Sequence, residues 1–115
     1  MGRDRHRVAR WGGTVESTND PISGVSGADA VYTDVWASMG QEEQAEAREE
    51  IFAAFQVNEP LMDAAVSDAL FMHCLPAHRG HEVTDAVMDS AQSVVFDQSE
   101  NRLHAQKALL AKLFA

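Results

Sequence analysis

Short runs of apolar and β-branched residues alternate with longer amphipathic stretches along the chain. Ala30-Val31-Tyr32-Thr33-Asp34, Ala69-Leu70-Phe71-Met72-His73 and Ser93-Val94-Val95-Phe96 are the strongest runs. Each predicts a short buried strand. Thr14-Val15-Glu16-Ser17 predicts a weaker one, and Gln56-Val57 a very short one. Helices are predicted between them. Asn19-Asp20-Pro21 opens one that closes near Gly27. Glu42 to Phe55 forms the next, with acids in its first turn and Ala45, Ile51, Phe52 and Phe55 as its apolar stripe. Asn58 caps a helix over Glu59 to Val66, with Pro60 in its first turn. Thr84 begins one running to about Ser90, with Val83, Val87 and Met88 apolar. Ser99-Glu100-Asn101 leads into a long C-terminal helix whose apolar positions are Leu103, Leu109, Leu110, Leu113 and Phe114.

Strands separated by helices favour a parallel sheet with right-handed crossovers. The expected fold class is therefore α/β, a partial doubly wound (Rossmann-like) parallel sheet with flanking helices. The 115 residues suffice for one core and not for two. Residues 1–12 stand apart as a basic N-terminal segment, read as the remnant of a helix stopped by Gly12-Gly13. Residues 13–115 form the rest, a partial domain. No internal repeat or low-complexity linker interrupts them.

Charge narrows the function. Nine Lys and Arg face 18 Asp and Glu, a net charge of −9. Nucleic acid and anionic membrane surfaces both need clustered cations, so neither is an expected partner. The single cysteine, Cys74, excludes an internal disulfide and fits a reducing, cytoplasmic setting. No apolar run reaches membrane-spanning length, and no apolar stretch follows the basic start as a secretory signal requires.

Ligands of open parallel α/β sheets bind outside the carboxyl ends of the strands. Asp34 and the loop through Ser38-Met39-Gly40 follow one strand, and Cys74-Leu75-Pro76 follows the next. Arg102 falls in the expected first turn of the last helix, the wrong end of the helix dipole for a cation. Each has an ordinary reading too. Asp34 serves equally well as a turn residue, Ser38 as a loop residue, Cys74 as a small buried hydrophobe and Arg102 as a partner for Glu100 or Asp97. His73, Cys74, His78 and His81 crowd nine positions. Neighbouring strand residues point to opposite faces, so His73 and Cys74 are poorly placed to share a metal. No third group identifies a Cys/His nucleophile pair. No phosphate-binding glycine loop is present.

Three strings carry the reading further. Tyr32-Thr33-Asp34-Val35-Trp36-Ala37-Ser38-Met39-Gly40 resembles the DVWxSMG segment of ornithine carbamoyltransferases. His73-Cys74-Leu75-Pro76 resembles their HCLP segment, and Phe96-Asp97-Gln98-Ser99-Glu100-Asn101-Arg102 the stretch before their final helix. Order and spacing agree, and the resemblance runs from about Gly12 to the C-terminus.

The resemblance implies roles for these positions. Asp34 would bind the α-amino group of ornithine, and Ser38 and Met39 its α-carboxylate end. Cys74 and Leu75 would meet the δ-amine and carbamoyl region, largely through backbone groups. Arg102 would reach the carbamoyl oxygen of carbamoyl phosphate. The implied catalytic residues are Cys74 and Arg102, and the implied carbamoyl phosphate contacts Cys74, Leu75 and Arg102. No cofactor or metal is implied. Members of the family are homotrimers of two-domain subunits.

Departures from the family pattern matter as much. Its STRTR-type phosphate loop, HPxQ segment and the opening strands of the ornithine domain, with an ornithine-binding asparagine, are not in the sequence. The expectation is a C-terminal fragment, inactive alone, with an exposed sheet edge. His81 stands where many relatives carry an acid. Two alternatives remain: a transcarbamylase acting on acetylornithine or putrescine, and a non-catalytic domain that kept the fold.

Overall fold

A computed structural model describes residues 12–36 and 45–115, without the side chains of 45–48. The basic segment over residues 1–11 lies outside the described residues, as do Ser38, Met39 and Gly40.

The elements run α1 (Pro21–Val25), β1 (Ala30–Thr33), α2 (Ala45–Phe52) with a 3-10 turn over Ala53–Phe55, α3 (Glu59–Asp63), β2 (Leu70–His73), α4 (Asp85–Met88) and α5 (Val95–Leu113). β1 and β2 pair in parallel, with Val31 opposite Phe71 and Thr33 opposite His73. The α/β class with a short parallel sheet and flanking helices is the one the sequence predicts.

Local chemistry sets the short helices. Asp20 accepts the Ile22 N–H, Asn58 the Leu61 N–H and Thr84 the Val87 N–H. Each side chain satisfies an amide left open by the helix start. Pro21 and Pro60 sit in first turns, where no amide is needed.

The core lies on one face of the sheet. Val31 and Phe71 point into it from the strands, joined by Val57, Leu61, Met62, Val83, Val87, Met88 and Val95. Alternation places His73 on the same covered face as Phe71.

Several predicted elements change. Thr14–Ser17 is not a strand but an exposed segment, because β1 pairs only with β2 among the described residues. The third strand contracts to a single parallel bridge between Ser93 and Phe71. Phe71 N–H donates to Gln92 and Val94 N–H to Phe71, and the chain then turns directly into α5. Val95 in the first turn of α5 is fully buried and Phe96 beside it is exposed. Gln56-Val57 likewise contracts to one bridge, between Val57 and Val83.

The apolar stripes of the two longer helices face outward. Ile51 and Phe52 are exposed, as are Leu103, Leu109, Leu110, Leu113 and Phe114. Phe52 is covered in part, by the rings of Trp36 and Phe55. No described helix is long and apolar enough to cross a membrane.

Candidate functional site

In-register parallel pairing builds the site. Thr33 lies opposite His73, so the next residues, Asp34 and Cys74, leave the strands side by side. The Cys74 thiol donates to Asp34 Oδ1 at 3.1 Å, and the Val35 N–H donates to the same oxygen at 2.7 Å. These donors hold the Asp34 carboxyl below the ordinary carboxylate range, the thiol contributing most. The converse holds for Cys74. Its hydrogen bond to Asp34, then desolvation and the nearby negative charge, push the thiol up from its usual value. At neutral pH the pair is a carboxylate and a thiol, which disfavours Cys74 as a nucleophile.

The backbone beyond Cys74 is unusual. Leu75 adopts φ +55°, a left-handed conformation costly for a branched residue, and the Leu75–Pro76 peptide is cis. The positive φ of Leu75 costs on the order of 1–3 kcal/mol and persists only where its surroundings hold it. Two contacts do so. Leu75 N–H donates to His73 Nδ1 at 2.8 Å, and His73 N–H donates to Gln98 Oε1 of α5 at 3.1 Å. Both amides are thus engaged within the protein. Among the described residues nothing donates to the carbonyl oxygens of Cys74 or Leu75. What this loop offers a ligand is a set of acceptors, suited to an amine.

Beneath the loop, His73 and Glu82 are fully buried and meet at 2.9 Å between Nε2 and Oε1. His78 N–H donates to the same Glu82 oxygen at 2.7 Å. Trp36 flanks the site from the other strand. Its ring stacks on Phe52 at 6.3 Å and meets His81 edge-on at 6.4 Å. His81 has Nδ1 3.4 Å from Glu49 Oε1.

The structure brings Asp34, Cys74 and Leu75 together at one rim. Arg102 sits elsewhere than expected. α5 starts at Val95, so Arg102 lies well inside the helix and not in its first turn. Arg102 is therefore not a cation at the positive end of the helix dipole. Arg102 instead lies one turn after Gln98 on the same helix face. Gln98 reaches the end of β2 through His73 and the end of β1 through Tyr32 OH, at 3.3 Å. That face of α5 is the one turned toward the strand ends. Arg102 is exposed there and forms no ion pair among the described residues.

Two further residues of the site, Gln98 and Glu82, carried no signal that sequence reasoning used. Gln98 lies within a string already singled out. Glu82 drew no expectation, and its role shows only in its burial against His73. No cluster of metal-ligating residues occurs among the described residues.

A family model described as the Asp/Orn binding domain of aspartate/ornithine carbamoyltransferase matches residues 2–113. An ornithine carbamoyltransferase of Pyrococcus horikoshii is 63% identical over 106 residues, 92% of this chain and 33% of its own length. A solved ornithine carbamoyltransferase from Pyrococcus furiosus superposes with a TM-score of 0.86 at 61% identity, covering 93% of this chain and 34% of that one. An N-acetyl-L-ornithine transcarbamylase complexed with carbamyl phosphate and N-succinyl-L-norvaline superposes at 0.78 with 37% identity, over 94% of this chain and 33% of that one. The chain spans about a third of the length of these relatives.

Proposed function

The chain belongs to the aspartate/ornithine carbamoyltransferase family, and from that we propose that it supplies the ornithine side of a carbamoyl-transfer site. The observation that carries this reading is the Asp34–Cys74 contact beside the carbonyls of Cys74 and Leu75, to which none of the described residues donates. A fixed carboxylate receives one ammonium, and backbone acceptors receive a second, distant amine. L-Ornithine has both. Ser38 and Met39, outside the described residues, are assigned to its α-carboxylate.

The reaction follows from amine chemistry. A free alkyl amine of this type has a pKa of about 10.4, so exposing its neutral form at pH 7 costs about 4–5 kcal/mol. A pocket that desolvates the ammonium reduces that cost, and the carbonyl acceptors serve to aim the amine. The neutral δ-amine attacks the carbamoyl carbon of carbamoyl phosphate and forms the N–C bond. The C–O bond to phosphate breaks, phosphate departs with its electron pair, the amine loses one proton, and citrulline results. Arg102, near the carbamoyl oxygen, stabilises the charge developing there. Cys74 stays a thiol and acts by contact. The scheme assigns no step to a metal or cofactor.

Phosphate binding is assigned to the part of the relatives' length that this chain does not span, so the chain alone is expected to be inactive. A full-length trimer in the cytoplasm is the corresponding expectation for the complete enzyme. Substrate choice is tested by titrating the 15N-labelled chain with L-ornithine, N-acetyl-L-ornithine, putrescine and L-aspartate. Amide shifts at residues 32–36 and 73–76, largest for ornithine and lost in Asp34→Ala, are expected. Equal shifts from aspartate, or none from any diamine, would overturn the assignment.

A further inference from the structure

We propose that Glu82 is a positioning residue for the Cys74–Leu75 backbone, acting by fixing which nitrogen of His73 carries the proton. Leu75 N–H points at His73 Nδ1 at 2.8 Å. An amide hydrogen already occupies that line, so Nδ1 must be bare. A doubly protonated ring would set two hydrogens against each other across this distance. His73 is therefore neutral, with its hydrogen on Nε2.

That hydrogen needs an acceptor, because the ring is fully buried. Glu82 Oε1 is the acceptor, at 2.9 Å. The contact is a hydrogen bond from a neutral imidazole to a carboxylate, not an ion pair. The same oxygen accepts the His78 N–H at 2.7 Å. One carboxylate oxygen thus secures His73 directly and the far end of the 73–78 loop as well. Its other oxygen, Oε2, is buried and has no hydrogen-bond partner among the described residues, with His78 Nδ1 3.9 Å away.

The consequence falls on a residue that Glu82 has no hydrogen bond to. Leu75 holds a positive φ, and its amide is fixed only while Nδ1 remains an acceptor. Without Glu82 the Nε2 hydrogen is stranded in the core, and the ring relieves this by moving the proton to Nδ1 or by turning. Either change removes the acceptor for Leu75 N–H and frees the loop. The carbonyls assigned to the substrate amine belong to this loop, so the functional meaning rests on the carbamoyl-transfer reading. The positioning itself does not.

The test uses the 15N-labelled chain without substrate, so its failure leaves the transferase reading untouched. Long-range 1H–15N correlation reports which ring nitrogen of His73 is protonated, and hydrogen exchange reports the Leu75 amide. In the wild-type chain Nε2 is expected to carry the hydrogen, with Leu75 protected. Glu82→Gln keeps an acceptor at the Oε1 position and should preserve both. Glu82→Leu should put a proton on Nδ1 or mix the tautomers, and speed Leu75 exchange about tenfold, the equivalent of one net hydrogen bond. Phe71 N–H, bonded to Gln92, is the control and should not change. A wild-type ring protonated on Nδ1, or a Leu75 amide exchanging like an unstructured peptide, overturns the proposal. So does a folded Glu82→Leu chain whose ring and Leu75 amide are unaltered. The wild-type ring spectrum requires no variant, so a Glu82→Leu chain that fails to fold does not shelter the idea.

Discussion

Gln98→Ala tests whether α5 is docked to the strand ends through one carboxamide. Gln98 Oε1 accepts the N–H of His73, a residue with no exposed surface, and Nε2 donates a longer bond to Tyr32 OH. Truncation leaves a donor at the edge of the core without an acceptor. Such a loss costs about 1–3 kcal/mol when water is excluded. Gln98 itself is only half-buried, so entering water recovers part of it, and about 1–2 kcal/mol is the expected cost. The Tyr32 bond is long and exposed and adds little. For a chain of this size the corresponding fall in Tm is about 4–8 °C. Urea unfolding followed by circular dichroism should show a lower midpoint with an unchanged slope. Gln98→Glu keeps an acceptor at the same reach and should recover most of the loss. The His73 amide should exchange faster in Gln98→Ala alone. A Gln98→Ala chain with wild-type midpoint and an equally protected His73 amide would show that the carboxamide does not hold α5, and the placement of Arg102 would lose its support.

Other expectations follow from the same contacts. Asp34→Ala removes the group that raises the Cys74 thiol, so alkylation by iodoacetamide near pH 8 should accelerate, while the rate at high pH, where the thiol is fully ionised, stays the same; an unchanged rate near pH 8 contradicts the contact. The lowered carboxyl of Asp34 contributes stability present above its unfolded value of 3.8 and lost as pH falls through the folded one, so that contribution should disappear in acid below about pH 4 and be absent from Asp34→Ala at every pH. Phe71→Ala empties a fully buried site between the strand pair and α5 and should cost about 3–5 kcal/mol, enough to unfold the chain in a thermal melt. Arg79 pairs with Asp85 and with both oxygens of Asp89 on the surface, so Arg79→Ala should matter little, and what it removes should vanish in high salt.

What the sequence revealed was mostly local. Asp20, Asn58 and Thr84 mark helix starts because a capping side chain acts within three residues of itself. Asp34 and Cys74 were found because chain order already places them after parallel strands. The misreadings concern choices that distant contacts decide. Ser93-Val94-Val95-Phe96 has the composition of a strand, yet only Ser93 bridges to Phe71 before α5 begins. The apolar residues of α5 suggested a buried stripe, and the side they present is exposed. Glu82 and His73 are nine positions apart with a loop between, and nothing in their spacing announces a buried pair. Gln98 acts through the backbone of His73, which leaves no pattern in the side chains of either segment.

Citrulline formation from L-ornithine and carbamoyl phosphate tests the central claim most directly. It is measured on this chain alone and after mixing with a separately produced phosphate-binding domain of a related carbamoyltransferase. The account predicts turnover only in the mixture, lost with Asp34→Ala and with Arg102→Ala while both variants remain folded. Turnover by the chain alone would contradict the division of labour, and a reconstituted mixture indifferent to both substitutions would contradict the site.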